Sequence, residues 1–366
     1  MLSKAMHPLI GHQAARQRLA RAHAAGRLPQ VILLTGAPGV GKQRLALWLA
    51  QLVLCERSGD DPCGSCRPCR LVAALSHPDV HWFVPIPRPR ASDPGKQVEE
   101  AADALVQVLE QRRAQSLYSA PDGMAIHGMA TARLLQRRAA LTSVEGGRRL
   151  FIIGDADRLV PQESSPDAAN ALLKLLEEPP PGSLFLLTTA DAERMLPTVR
   201  SRAVSLRLGR LTDAEVKQFL RETLQPVPPD SELNRRVAAA EGSIGKGLAS
   251  ADEAGRAWQA AHQWLEAVLA GSAPALERAM RQPPWSARGE FTAMLDALTE
   301  TLNEAARNAV GHPPRREIPE PLRRYQTPEP LLRAIEHVAD AREAAWGNVN
   351  PQLLLAVLGN ELAETL

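Results

Sequence analysis

A chain of 366 residues is long enough for two or three domains. With 45% hydrophobic and 23% charged residues it has an ordinary globular composition, and no apolar stretch approaches the ~20 residues of a membrane span. The formal net charge of +2 indicates neither a strong nucleic-acid-binding nor a strong membrane-binding surface. The first eight residues lack the apolar core of a signal peptide, so we expect a cytoplasmic protein with no membrane partner.

A Gly-rich segment near the start of the chain has the spacing of a phosphate-binding loop. The apolar run from Val31 to Leu34 is typical of a buried parallel strand, and Arg44 to Leu54 has the composition of a helix. This strand-loop-helix context favours a true P-loop over a chance Gly/Pro turn. The candidates for nucleotide binding in GAPGVGK are Gly36, Gly39, Gly41 and Lys42.

The residue after Lys42 departs from the P-loop pattern. Gln43 stands where the pattern has Ser or Thr, whose hydroxyl binds Mg²⁺ in active ATPases. A glutamine amide is uncharged, longer and differently aimed. We therefore expect ATP binding to be weak or absent.

All four cysteines lie in one short segment that follows the predicted helix. They are Cys55, Cys63, Cys66 and Cys69. Because cytosolic thiols stay reduced, a disulfide framework is not expected. Four thiolates separated by turn-forming residues suit a closed, structural Zn²⁺ site. An iron–sulfur cluster is the alternative, although its typical cysteine runs have other spacings.

The segment after the cysteines contains a short strand and a long insertion. His77 and His81 flank the start of this strand, and we interpret both as packing or surface residues because the cysteines already complete a metal shell. Pro85 to Pro94 is rich in proline and arginine, and Val98 to Gln115 predicts an amphipathic helix. We treat about 86–124 as an elaboration of the core fold.

A second strand, Arg149 to Ile153, ends without the acidic pair of an active ATPase. In an active ATPase, one carboxylate of this pair supports Mg²⁺ and the second polarises the attacking water. In one register Gly154 replaces the first and Asp155 is the second; in the other, Asp155 is the metal ligand and Ala156 replaces the base. Either register removes one essential carboxylate.

The rest of the chain predicts first an α/β and then an all-helical region. Ala168 to Glu178 predicts a helix that stops at tandem prolines, and Leu184 to Leu187 predicts another buried strand. Alternating strands and helices favour a doubly wound sheet with its ligand site at the carboxyl ends of the strands. Beyond about Arg210 the pattern is helical and contains no catalytic constellation.

Together these motifs resemble the clamp-loader branch of the AAA+ proteins in bacterial DNA polymerase III. The resemblance rests on HPLIGHQ, GAPGVGK, the four-cysteine module, SHPDV, DAANALLKLLEEPPPG and TVRSRA. It implies an α/β AAA+ P-loop core over 1–208, with a zinc module inserted at 55–69. A small helical lid over 209–250 and an all-α collar domain for oligomerisation over 251–366 would follow.

The resemblance also implies roles for residues near the end of the core and in the lid. Ser201-Arg202-Ala203 matches the Ser-Arg-Cys motif of active relatives except at its last position, so Arg202 is the expected arginine finger, acting in trans. Gly245 stands where active relatives carry a second sensing arginine. With Gln43 and Gly154, this makes three departures from an active site, and we expect no intrinsic ATPase activity.

The implied function is a non-catalytic, stator-like subunit that helps ATP-driven loading of the sliding clamp on primed DNA. Its implied partners are gamma/tau-type ATPase subunits, a delta subunit, the sliding clamp and primer-template DNA. One alternative is an active clamp-loader ATPase with an atypical metal site, which Lys42 and Asp155 favour. Another is a zinc-ribbon nucleic-acid-binding module, which the near-neutral charge and the scarcity of stacking rings disfavour.

Overall fold

The computed structural model of the protein comprises two compact units, Met1–Leu248 and Ala249–Leu366. It describes residues 8–57, 59–114, 125–145, 147–159, 167–248, 251–283, 290–314, 318–345 and 349–366. The start of the HPLIGHQ motif and positions 115–124 of the expected insertion lie outside these residues.

The first unit is built on a five-stranded parallel sheet with the order β2-β3-β4-β1-β5. Its strands are β1 (Val31–Thr35), β2 (Val80–Phe83), β3 (Arg149–Ile153), β4 (Ser183–Thr189) and β5 (Val204–Arg207). The first four coincide with predicted strands. The sequence analysis missed β5, because this edge strand is short and mostly exposed and so lacks an apolar run.

Helices pack around this sheet and share its core. They are α1 (Gln13–Ala24), α2 (Lys42–Leu54), α3 (Arg67–Ala73), α4 (Pro94–Ala114), α5 (Met129–Ala140), α6 (Asp167–Glu177) and α7 (Pro197–Arg200), with a 3₁₀ turn at Ala156–Leu159. The central strands β3 and β4 are buried along their whole length, and the rings of Phe151 and Phe185 stack at 4.9 Å. Parallel strands buried on both faces read as continuous apolar runs, which is why the sequence revealed them.

Three further helices of the first unit have a small apolar core of their own. They are α8 (Asp213–Thr223), α9 (Asp230–Ala240) and α10 (Ile244–Leu248). Phe219, Leu220 and Leu233 lie at the centre of this core and are almost completely buried. A capping box begins α8: Glu215 N donates to the Thr212 hydroxyl, and Thr212 N donates to the Glu215 carboxylate.

Replacing Thr212 by alanine should lower the free energy of unfolding by about 1 kcal/mol, because the backbone N–H of Glu215 loses its acceptor and the Glu215 carboxylate loses the Thr212 hydroxyl. Chemical denaturation of the full chain measures the change. Thr223→Ala, at the other end of the same helix, is the matched control and should have a smaller effect. Equal losses for the two variants would contradict the capping role.

The second unit is entirely helical in its described residues. Its helices are α11 (Ala251–Leu269), α12 (Ser272–Met280), α13 (Glu290–Ala309), α14 (Glu320–Arg323), α15 (Glu329–Ala344) and α16 (Pro351–Thr365). Trp264 and Leu298 are buried in its core. A Cβ atom at Gly359 of α16 would lie only 3.1 Å from the Cβ of Ala275, so glycine permits the close approach of α12 and α16.

Large apolar side chains remain exposed on the same two helices of the second unit. They are Leu276 and Met280 on α12, and Leu353 and Val357 on α16. Residues four apart lie on the same face of a helix, so each helix presents an exposed apolar pair. Among the described helices, none combines the length and apolar character that crossing a bilayer requires.

Candidate functional site

The P-loop lies between β1 and α2, as the sequence predicts. Gly41 immediately precedes α2 with a φ of +101°, a conformation that L side chains rarely adopt. Lys42 begins the helix, and its Nζ donates to the carbonyl oxygens of Gly36 at 2.8 Å and Ala37 at 2.9 Å. Burial lowers the pKa of Lys42, while the nearby Asp155 and Asp157 carboxylates oppose this shift. The Lys42 side chain therefore folds back and bonds to the backbone of the P-loop.

The start of α10, with Ser243 just before it, packs directly on the P-loop. Gly245 N donates to the carbonyl oxygen of Gly39 at 3.3 Å. A Cβ atom at Gly39 would lie 2.1 Å from the Ser243 hydroxyl, and one at Gly245 would lie 3.2 Å from the Gly39 Cα. The backbone itself therefore contacts the loop at the position where active relatives are expected to carry a sensing arginine.

Gln43 lies between the P-loop and the end of β3. Its Nε2 donates to the Asp155 Oδ1 at 3.5 Å. A Cβ atom at Gly154 would lie 2.7 Å from the Gln43 Nε2 and 3.1 Å from its Oε1. Gln43 and Gly154 are therefore sterically linked: the glutamine amide occupies space that any side chain at position 154 would need.

The sequence analysis did not identify Asp157 and His127, two polar residues near Gly154. The Thr189 hydroxyl at the end of β4 donates to the Asp157 carboxylate at 2.7 Å, yet burial, with Asp155 adding to it, raises the pKa of Asp157. His127 is buried, and its Nε2–H donates to the Gly154 carbonyl oxygen at 2.7 Å. For Asp157, the only signal in the sequence was its position shortly after a predicted strand. His127 had none.

The buried His127 makes stability depend on pH. Burial lowers its pKa from the ordinary value of 6.5 to about 4, although the bond to the Gly154 carbonyl opposes this. Between these values the unfolded chain binds a proton that the folded chain does not, so stability is lost as pH falls through this window. The full difference is worth about 3 kcal/mol.

We expect His127→Gln, which keeps a donor for the Gly154 carbonyl, to reduce the fall in stability between pH 6.5 and pH 4; the remaining fall belongs to His81, whose pKa burial also lowers to about 4. Chemical denaturation at half-unit pH steps measures the slope. His337→Gln, in the second unit, controls for the loss of a histidine elsewhere. A slope in His127→Gln equal to that of the unchanged chain would show that His127 does not carry the effect.

The four cysteines converge at the junction of α2 and α3. Their Sγ atoms all lie within 4.8 Å of one another. Zn–S bonds of about 2.3 Å in a tetrahedron place sulfurs about 3.8 Å apart, so this cluster suits a metal ion. Cys55 directly follows α2, Cys66 precedes α3, and Cys69 lies on α3 with complete burial.

Backbone groups around the cluster support thiolate ligands. Cys63 N donates to the Cys55 sulfur at 3.4 Å, and Cys66 N donates to the Cys63 sulfur at 3.3 Å. The bonds from Cys66 N and from Ser65 lower the pKa of Cys63 to about 5, whereas burial raises the pKa of Cys69. Gln51 of α2 also donates to the Cys69 carbonyl oxygen at 2.9 Å, which ties the two helices together.

His77 is a packing residue, as predicted, rather than a member of the cluster. It is buried, and its Nδ1 accepts from the Asp79 backbone N at 3.1 Å. The Asp79 carboxylate accepts from Val144 N, Glu145 N and the Ser143 hydroxyl. The SHPDV motif thus orders the loop that leads into β3. His81 packs too, with its ring stacked on Phe151.

Arg202 lies between α7 and β5. Its Nε donates to the Glu177 Oε1 at 2.8 Å, and its Nη1 donates to the Thr198 carbonyl oxygen at 2.6 Å. Glu177, which the sequence analysis did not single out, ends α6 and is 46% exposed at its side chain. The guanidinium is therefore held at the protein surface by a partly exposed ion pair.

Comparison with known proteins identifies the family. A family model described as "DNA polymerase III, delta subunit" matches residues 11–212. The DNA polymerase III subunit delta′ of Bacillus subtilis (strain 168) is 32% identical over 203 residues, which is 56% of this chain and 48% of that protein. The chain belongs to the delta′ family of DNA polymerase III subunits. The clamp-loader resemblance predicted from the motifs is thereby confirmed.

A second curated delta′ protein agrees with this assignment. The delta′ subunit of Escherichia coli (strain K12) is 32% identical over 187 residues, 51% of this chain and 44% of that protein. The chain spans about half the length of the curated delta′ relatives it matches. Among solved structures, a DNA polymerase III gamma subunit-related protein of Thermotoga maritima aligns with 95% of this chain and 99% of its own, at 15% identity and a TM-score of 0.38.

Proposed function

We propose that this delta′-family chain is a clamp-loader subunit that does not hydrolyse ATP. The observation that carries the proposal is the contact of Gln43 with the end of β3. Its amide is 3.5 Å from Asp155 and fills the space beside Gly154, where a further carboxylate would have to stand. Position 43 has no hydroxyl and β3 is not followed by the acidic pair. Mg²⁺ therefore lacks the ligands that phosphoryl transfer requires.

We further propose that the chain acts through Arg202, as an arginine finger at the ATP site of a neighbouring gamma/tau-type subunit. Its guanidinium is held at the surface, 27% exposed, by Glu177 and the Thr198 carbonyl. Exposed ion pairs contribute only about 0–1 kcal/mol. Arg202 can therefore exchange Glu177 for a more highly charged phosphate at small cost.

The remaining roles follow from the same proposal. The core would span 1–208, with structural Zn²⁺ held by the four cysteines, followed by a lid over 209–250 and a collar over 251–366. The exposed apolar groups of α12 and α16 support packing against the other loader subunits. The complex would load the sliding clamp on primer-template DNA, in the cytoplasm where a bacterial chromosome is replicated.

The proposal is tested by the ATP turnover of a complex reconstituted with the Arg202→Ala chain. An active ATPase is the second candidate, because Lys42 is retained at the start of α2. Mg²⁺-ATP turnover by the isolated chain separates the two functions. We expect none above a Lys42→Ala control, whereas turnover that Lys42→Ala abolishes would establish an active site in this chain.

A further inference from the structure

A buried arginine from the insertion lies beside the contact of Gln43 with β3. Arg112 is in the last turn of α4, yet it is only 7% exposed. Its guanidinium carbon lies 4.3 Å from the centroid of the Trp82 ring, which is a cation–π contact. Burying a cation is costly unless nearby groups compensate for it, so this placement needs a specific partner.

The helix that carries Arg112 is firmly attached to the first unit. Val98, Ala101 and Leu105 of α4 are buried in the same apolar core as the sheet. The adjacent Arg113 donates to the carbonyl oxygens of Ala74 and Leu75 after α3. Because both the middle and the end of α4 are held, Arg112 is delivered to one place rather than sampling the surface.

One partner of Arg112 is the amide of Gln43. The Arg112 Nη1 donates to the Gln43 Oε1 at 3.4 Å, and the Gln43 Nε2 donates to the Asp155 Oδ1 at 3.5 Å. An amide accepts at one end and donates at the other, so Gln43 links the cation to the anion. In active P-loop ATPases a Mg²⁺ ion lies between the P-loop hydroxyl and the acidic residue.

We propose that Arg112 is a resident cation that takes the metal's place, and that α4 thereby keeps Mg²⁺-nucleoside triphosphate out of the P-loop. The inference rests on the proposed absence of hydrolysis and deepens it. It assigns the insertion a role: α4 supplies the positive charge that the end of β3 would otherwise take from Mg²⁺. Gln43 and Gly154 then belong to one arrangement with Arg112.

The inference is tested by restoring the metal ligands with and without Arg112. Gln43→Thr/Gly154→Asp is prepared in the Arg112 and the Arg112→Met background, and binding of a fluorescent ATP analogue is measured with Mg²⁺ and with EDTA. A site open in only a fraction of molecules binds proportionally more weakly, so Mg²⁺-dependent binding should be at least ~10-fold tighter in the Met background. Equal binding in both backgrounds, including none in either, would overturn the inference.

Single variants provide a second test that does not require the repaired site to fold. The melting temperature is measured with and without Mg²⁺ at constant ionic strength for the unchanged chain, Arg112→Met and Arg113→Met. Only Arg112→Met should be stabilised by Mg²⁺, because only it removes the guanidinium that Gln43 links to Asp155. The same response in all three chains, including no response, would overturn the inference. Both tests use the isolated chain with Arg202 intact, so their failure is distinguishable from failure of the proposed function.

Discussion

A clamp loader reconstituted with the Arg202→Ala chain should lose about 10³-fold or more of the turnover at the ATP site that Arg202 faces. An arginine finger stabilises charge on the transferring phosphoryl group, and alanine supplies none. Other ATP sites of the complex keep their own catalytic groups, so total turnover falls less. The measurement is ATP turnover stimulated by clamp and primed DNA, together with size-exclusion chromatography of the complex.

Two variants sharpen this test. Arg200→Ala removes a neighbouring arginine that is paired with Glu193, and should leave turnover nearly unchanged. Arg202→Lys keeps the charge but loses the planar fork of donors, so we expect partial activity. Undiminished turnover in an assembled Arg202→Ala complex would refute the trans role and leave this chain a scaffold.

Of the predicted substitutions, Cys69→Ser should lower the free energy of unfolding most. Cys69 is completely buried on α3 and forms part of a cluster that joins α3 to α2, the helix of the P-loop. Structural zinc contributes roughly 10–16 kcal/mol to small zinc domains. Even about 3 kcal/mol would lower the melting temperature of a unit of this size by about 6–12 °C. We expect the variant to lose most of its bound metal as well.

The metal content and the melting temperature are measured on the same samples, before and after chelation. Chelation should destabilise the unchanged chain and leave Cys69→Ser almost unaffected. Ser65→Ala is the matched control, because it removes a hydroxyl that donates to the Cys63 sulfur at 3.6 Å but removes no ligand. One equivalent of tightly bound zinc in Cys69→Ser would contradict the four-ligand site, and bound iron with sulfide would favour the iron–sulfur alternative.

The three departures from an active ATPase illustrate what sequence reasoning reached. Gln43, Gly154 and Gly245 were each recognisable, because the P-loop, the strand end and the motif expected in the proposed lid have fixed local spacing. From the sequence they were three departures at separated elements that together indicated the loss of ATP hydrolysis. In the structure the amide of Gln43 fills the space beside Gly154, and Gly245 N bonds to the P-loop at Gly39. The structure adds that these positions lie in contact with the P-loop or with the helix that follows it.

The buried strands, the P-loop, the cysteine cluster and the family could all be predicted from the sequence. A local sequence pattern indicates each of them: continuous apolar runs, glycines before a lysine, and ligands at short spacing. The contact of Gln43 with Asp155, 112 positions away, and that of Arg112 with Gln43, 69 positions away, became visible only in the folded chain. The same is true of the pairing of β5 with β1. Such proximity arises from packing between distant segments, and no periodicity within a segment records which side chains that packing brings together.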